Sequence, residues 1–160
     1  MRKLWRRGQT NRVDALSMPL IDEHAILIAD LPASAWRALT AQLAAWNTRD
    51  ARTYARIVGA SPGRAIGIFP SIGSSVPGFG VSEADPPRKL VLVGGHHFSR
   101  YALVFLIEPQ QDGTMLRARS HAEFPGVRGS LDRLAVIHSG AHGFVTRRLL
   151  RQVWSAARVE

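Results

Sequence analysis

TMLRARSHAEFPG, residues 114–126, alternates apolar and polar side chains as far as Phe124 and then breaks at Pro125 and Gly126. Alternation with a period of two is the pattern of a β-strand that buries one face. The pattern assigns one face to Leu116, Ala118, Ser120, Ala122 and Phe124, and the other to Arg117, Arg119, His121 and Glu123. We expect the first set to face the core of the protein.

A long helical pattern follows this strand, from about Gly129 to Arg158. At 100° per residue, one stripe of this helix holds Leu131, Leu134, Ala135, His138, His142, Val145, Leu149, Val153 and Ala156. Four arginines, at positions 133, 147, 151 and 158, lie on the opposite side. Gly140 and Gly143 each weaken the helix by roughly 1 kcal/mol relative to alanine. The pattern is typical of a helix that covers a concave, incompletely filled sheet.

The chain before this stretch predicts one strand, two helices and then several strands. The predicted elements are a strand at 24–30, helices from Pro32 and at 49–58, a short strand at 64–69, a glycine-rich loop at 71–80 leading into a brief strand near 79–82, and strands at 88–98 and 101–108. The segments 85–87 (DPP) and 111–113 (QDG) predict turns. Hairpin-linked strands beside segregated helices indicate an α+β fold.

The length of 160 residues fits one domain with a sizeable core. We predict a basic, flexible N-terminal arm at 1–20 and a single domain at 21–160. The absence of cysteine excludes disulfides, zinc–thiolate sites and thiol nucleophiles. Because no stretch resembles the apolar core of a signal peptide or a membrane span, we expect a cytoplasmic protein without a transmembrane segment. No sequence feature specifies an oligomeric state.

The net charge of +9 raises the question of a nucleic-acid or anionic-surface partner. Two of the 21 basic residues are lysines, Lys3 and Lys89, which leaves 19 arginines. That bias fits a GC-rich coding sequence as well as a binding surface. A basic surface supplies non-specific affinity, through the arm and through Arg147, Arg148, Arg151 and Arg158. Since no recognition motif accompanies it, we expect no specific nucleic-acid partner.

The inward face of the sheet follows from alternation in the strand at 88–98. Its inward set is predicted to be Leu90, Leu92, Gly94, His96 and Phe98. Gly94 and Gly95 remove two side chains from mid-strand, which indicates a bulge, a bend or space left for a ligand. Both faces of the strand at 101–108 are apolar, so alternation leaves its inward face undecided.

Polar groups predicted to point inward are His96, Ser120, His138 and His142. Each histidine fits a buried imidazole with a protein partner, a cavity wall or a metal ligand. His138 and His142 have the i, i+4 spacing of a helical zinc pair, but the glutamate of the H-E-x-x-H motif is absent. We therefore expect no metal and no cofactor. Imidazole also suits general acid–base catalysis near neutral pH.

Several of these stretches resemble the helix-grip proteins of the START-like superfamily, also called SRPBCC or polyketide cyclase-like. The resemblance rests on DLPASAW at 30–36, on DPPRKLVL at 85–92, and on the long C-terminal helix held by a curved antiparallel sheet. The stretches GHHFSRY at 95–101 and AEFPG at 122–126, with the arginine-rich end from Arg147, are similar to a bacterial subgroup of unassigned function.

The resemblance implies a cavity between sheet and long helix that binds a small, mostly apolar molecule such as a lipid, a polyketide or an aromatic compound. The predicted ligand-binding residues are Leu92, Gly94, His96, Ser120, Ala122, His138, His142, Val145 and Leu149. The alternative is a cyclase- or dehydratase-type enzyme in which His96 or His142 acts as acid and base. No catalytic set is recognisable, so the resemblance carries over the cavity and not a reaction.

Overall fold

The computed structural model describes residues 15–97, 99–124 and 141–157, with residues 141–144 described by their backbone alone. The strands are β1 (Leu20–Ile28), β2 (Ser75–Val76), β3 (Phe79–Asp85), β4 (Lys89–His96), β5 (Ser99–Gln110) and β6 (Gly113–Glu123). The helices are α1 (Pro32–Ala44), α2 (Arg49–Ile57) and α3 (Ala141–Ala157), and a 3₁₀ turn spans Ala15–Ser17. The predicted α+β class is confirmed.

The six strands form one curved antiparallel sheet in the order β1-β6-β5-β4-β3-β2. The hairpin between β5 and β6 turns at Gly113, whose φ of 140° disfavours any other residue. Gly113 also lies against β1, since a Cβ there would come within 3.0 Å of Ala29 Cα. The predicted QDG turn thus holds β1, β5 and β6 together at one end of the sheet.

Helices α1 and α2 begin where local sequence chemistry favours a helix start. Pro32 occupies the first turn of α1, where a missing backbone N–H costs no hydrogen bond. At the start of α2, the Thr48 hydroxyl accepts a hydrogen bond of 3.1 Å from the Ala51 N–H. Leu39 and Leu43 of α1 are fully buried in the core. Both helices thus match the predicted boundaries closely.

The concave face of the sheet packs against α1 and α3. The core there contains Leu90 and Leu92 of β4, Leu103, Phe105 and Ile107 of β5, Leu116 and Ala118 of β6, and Leu149, Leu150 and Val153 of α3. The predicted inward face of the last strand is therefore correct, and the undecided face of β5 is resolved. Arg117 and Arg119 lie on the other face, where both bond to Glu23 of β1.

A second, smaller core covers the convex face of the sheet. Ala15 and Met18 pack there against Val91, Ala102 and Val104. The Met18 carbonyl oxygen also accepts a hydrogen bond of 3.0 Å from Nδ1 of His121. We call residues 15–18 the outer pad. Residues 15–20 belong to the predicted N-terminal arm; the structure packs Ala15 and Met18 on the sheet and makes Leu20 the first residue of β1. Residues 1–14 lie outside the described residues.

Several predicted strands differ from the structure. The first strand begins at Leu20 instead of His24. Residues 64–69 do not form the predicted strand: only Ile66 forms a bridge, with Ser75, and Gly67 adopts a φ of 70° that interrupts an extended chain. The brief strand predicted near 79–82 runs further, to Asp85.

The buried stripe of α3 is rotated relative to the prediction. Leu149 and Val153 are buried as predicted, but Val145 is 52% exposed. The buried positions also include Thr146, Leu150 and Ala157. Helix α3 contacts α1 as well as strands β1 and β6, so its apolar arc packs against a helix in addition to the sheet. The predicted helix start at Gly129, and the stripe residues before position 141, lie outside the described residues.

Among residues 15–97, 99–124 and 141–157, no helix is long and apolar enough to cross a membrane.

Candidate functional site

A cavity of about 520 Å³ lies between the concave face of the sheet, α2 and the first described turns of α3. The sheet and the segment after β6 contribute Ile21, Phe79, His96, Ser99, Tyr101, Leu103, His121, Ala122 and Phe124. The helices and loops contribute Trp46, Ala51, Tyr54, Ala55, Val58, Ala60, Pro77, Gly78, Val145, Thr146 and Leu149. Tyr54 and Val145 are more than half exposed, which places them where the cavity meets solvent.

Four rings form one wall of the cavity. The centroids of Trp46 and Phe79 are 5.9 Å apart, and those of Phe79 and Tyr101 are 5.2 Å apart in an edge-to-face arrangement. The ring of His96 lies 6.1 Å from that of Tyr101. Such tilted pairs are favoured over parallel stacking because the positive ring edge meets a negative ring face. The wall therefore presents ring surfaces to any ligand.

Tyr101 is fixed by two neighbours at the base of this wall. It lies directly across from Gly94 in the pairing of β4 with β5. A Cβ on Gly94 would come within 2.5 Å of Tyr101 Cε2 and would overlap the carbonyl oxygen of Gly78. The Tyr101 hydroxyl donates a hydrogen bond of 3.0 Å to that same carbonyl oxygen. The missing side chain of Gly94 thus makes room for the protein's own tyrosine.

The Tyr101 phenol carries a shifted pKa that can be measured. Burial, with a smaller contribution from Tyr54, raises the pKa of Tyr101 to about 12. An unfolded tyrosine titrates near pH ~10, so the stability contributed by the neutral phenol is complete below pH ~10 and is lost as the pH rises through about 12. We expect the free energy of unfolding to fall more steeply over this window in the wild type than in Tyr101→Phe. Urea titrations at each pH measure the difference, and equal slopes would contradict the assignment.

The chain has two tyrosines, so a direct titration can support this result. In a Tyr54→Phe variant, the phenolate absorbance of the folded protein reports on Tyr101 alone. We expect that absorbance to rise well above pH ~10, the value of an unperturbed phenol.

His96 and Ser99 place a polar pair beside the aromatic wall. Nε2 of His96 lies 2.8 Å from the Ser99 hydroxyl oxygen, across the turn that joins β4 to β5. Ser99 is buried and both residues line the cavity. A hydroxyl can donate to or accept from an imidazole, so the pair can orient a polar group of a ligand. Within the described part of the chain, no group of three His, Asp or Glu side chains is placed to hold a metal ion.

The structure brings four of the predicted ligand-binding residues together: His96, Ala122, Val145 and Leu149 all line the cavity. Leu92 is instead fully buried in the core, and Gly94 is covered by Tyr101. Ser120 is buried beside the cavity without being part of its lining. His138 lies outside the described residues, as does the side chain of His142. The binding role of the predicted set stays a prediction.

The sequence patterns missed the residues that contribute most of the aromatic surface. Trp46 has helical spacing from Leu39 and Leu43, and this pattern does not indicate a cavity wall. Tyr101 belonged to the strand whose inward face was undecided. Helix α2 contributes Tyr54 and its neighbours. The helical period of its sequence does not show which part of the protein these residues contact.

Comparison with known structures places the fold. Ara h 8.0201, a Bet v 1-like protein, is 9% identical with a TM-score of 0.57, and the match covers 89% of this chain and 100% of that one. A Mesorhizobium loti protein is 16% identical with a TM-score of 0.56, covering 86% and 96%. A Rhizobium leguminosarum protein is 13% identical with a TM-score of 0.54, covering 90% and 98%.

No family model and no curated protein sequence matches the chain. At these identities the structural likeness concerns the fold alone. The architecture is the helix-grip fold of Bet v 1-like and START-like proteins, as the resemblance in the sequence implied.

Proposed function

We propose that this protein binds a small, mostly apolar molecule, such as a lipid, a polyketide or an aromatic compound, in the cavity between the sheet and α3. The observation that carries the proposal is the cavity itself. Its volume of about 520 Å³ falls in the range of about 300–1,000 Å³ that is usual for small-molecule sites. Such sites combine apolar walls with a few placed polar groups.

The lining fits this chemistry. Trp46, Phe79, Leu103 and Leu149 supply apolar contact area, and the wall of tilted rings offers a surface for a flat or branched hydrocarbon. His96 and Ser99 supply the polar contacts. Helix-grip relatives support a ligand-binding fold in general terms. On the stretches at 95–101 and 122–126, we further propose that the chain belongs to a bacterial subgroup of this superfamily.

The test uses N-phenyl-1-naphthylamine, an uncharged probe whose fluorescence rises in apolar surroundings. We expect saturable binding to the wild type and a loss of affinity of at least about tenfold in Val145→Trp, which corresponds to ~1.4 kcal/mol. The added indole would occupy the mouth of the cavity, where Val145 is 52% exposed, so the core need not be disturbed.

Ile57→Trp is the matched control for this experiment. Ile57 is also an exposed helical residue, at 76%, but it does not line the cavity. The Ile57→Trp variant should bind the probe with an affinity near that of the wild type. Equal affinities of Val145→Trp and Ile57→Trp for the probe, or no binding of the probe by the wild type, would contradict the proposal. Native mass spectrometry of protein purified without added ligand should also reveal an apolar molecule bound at one per chain.

A further inference from the structure

Three polar side chains share the concave face of the sheet where β1 pairs with β6. Asp22 of β1 lies directly opposite Ser120 of β6, and His24 lies opposite Ala118. Residues opposite each other in an antiparallel pair project from the same face. Because Ala118 belongs to the concave core, all three polar residues project toward the side occupied by α3.

Each of these side chains has a buried polar atom without a hydrogen-bond partner in the part of the chain that the structure describes. The atoms are Oδ1 of Asp22, Nε2 of His24 and Oγ of Ser120. Nε2 of His24 lies 3.3 Å from Oδ2 of Asp22, but not in the alignment of a hydrogen bond. Ser120 is 1% exposed. Since buried polar groups are almost always hydrogen-bonded in native proteins, three atoms in one place that are unpaired within the described residues indicate a partner outside that part of the chain.

Ser120 and Asp22 adjoin residues that line the proposed ligand cavity. On the β5 side, Ser120 is paired with Leu103, and the next residue on its own face of β6 is Ala122; both line the cavity. On the β1 side, the register shifts between Leu20 and Asp22, and Ile21 at this irregularity is also part of the lining. Ser120 and Asp22 are therefore neighbours of residues that line the cavity, although neither is part of the lining itself.

We propose that Asp22, His24 and Ser120 form a subsite for a hydroxyl group of the bound ligand. The inference rests on the proposed function and specifies the ligand class as a hydroxylated apolar molecule. An ionised carboxylate can only accept hydrogen bonds, whereas a serine hydroxyl can donate one. A ligand hydroxyl donates to Oδ1 of Asp22 and accepts from Ser120, so it satisfies both atoms at once. His24, 3.3 Å from the other carboxylate oxygen, is a positioning residue for Asp22.

The test compares two ligands that differ by one hydroxyl group, 2-naphthol and naphthalene, as competitors of N-phenyl-1-naphthylamine. A net hydrogen bond should make the wild type prefer 2-naphthol by about 3- to 10-fold. In Ser120→Ala and in Asp22→Ala, we expect this preference to fall toward one while the affinity for the probe is kept. Ser120→Ala removes no hydrogen bond within the described part of the chain, so it should fold as well as the wild type.

Ser74→Ala is the matched control. Ser74 is also buried, at 4% exposed, and its Oγ also has no partner within the described residues, but it adjoins β2, at the opposite edge of the sheet from β1. It should keep the full preference for 2-naphthol. Probe binding with equal affinities for the two competitors, or an unchanged preference in Ser120→Ala and Asp22→Ala, would overturn the subsite and leave the cavity proposal standing. Failure of the wild type to bind the probe would overturn both.

Discussion

Gly94→Ala is expected to lower the free energy of unfolding by about 3 kcal/mol, the upper part of the usual range for overpacking a core. The new methyl group would overlap the carbonyl oxygen of Gly78 and come within 2.5 Å of Tyr101 Cε2. The first of these atoms belongs to the backbone, so rotation of a side chain cannot relieve the overlap. Chemical denaturation followed by tryptophan fluorescence measures the loss.

The same substitution should weaken ligand binding. Displacing Tyr101 breaks the hydrogen bond from its hydroxyl to Gly78 and tilts the ring that contacts Phe79. We therefore expect the affinity for N-phenyl-1-naphthylamine to fall together with stability.

Gly63→Ala separates this overlap from the general effect of replacing glycine. The nearest atom to a Cβ at Gly63 is the Ala60 carbonyl oxygen, at 3.4 Å, which is ordinary contact. Reduced freedom of the unfolded chain should make this variant neutral or more stable by ~0.5 kcal/mol. A similar loss of stability in Gly94→Ala and Gly63→Ala would show that a methyl group at Gly94 does not overlap Tyr101 or Gly78.

Met18→Ala should lower the free energy of unfolding by about 2 kcal/mol, because truncating a buried methionine leaves a cavity. Met18 is 4% exposed and packs on the convex face of the sheet against Val91, Ala102 and Val104. Urea denaturation followed by far-ultraviolet circular dichroism measures the change. The result tests whether the outer pad is an integral part of the domain.

Leu16→Ala is the control for the outer pad. Leu16 lies in the 3₁₀ turn just before Met18 but is 58% exposed, so its truncation should change stability by no more than ~0.5 kcal/mol. If Met18→Ala proved equally mild, residues 15–18 would contribute nothing to stability, and the predicted domain boundary at residue 21 would stand.

Features encoded by neighbouring residues were predictable from the sequence. Pro32 marks the start of α1 and Gly113 the hairpin between β5 and β6, because each fixes the local backbone. The prediction of a strand at 64–69 was wrong because a strand also needs a partner from elsewhere in the chain. Its isoleucines alternate, but β2 spans only two residues and offers no long partner, and Ile68 remains 83% exposed.

The candidate site was predictable only in part. Alternation in β6 and the period of α3 identify Ala122 and Leu149, since each belongs to a long regular element. The inward face of β5 could not be chosen, because Ala102 and Val104 are as apolar as Leu103 and are buried by the distant outer pad. The missing side chain at Gly94 was consistent with space left for a ligand. The position of Tyr101 shows that a side chain of the protein fills that space.

The two buried faces of the sheet have a consequence for protein engineering. The backbone of β4 and β5 lies between the outer pad and the cavity, and Met18 belongs to a different core cluster from Phe79 and Leu103. The link between them is His121, which lines the cavity and bonds to the Met18 carbonyl oxygen. Mutational effects at sites without shared partners are usually additive. Substitutions that strengthen the packing of Met18 and keep the hydrogen bond from His121 to its carbonyl oxygen should therefore compensate for destabilising changes at Phe79 or Leu103 with little effect on what the cavity binds. A library aimed at new ligand selectivity can start from a variant stabilised on the opposite face.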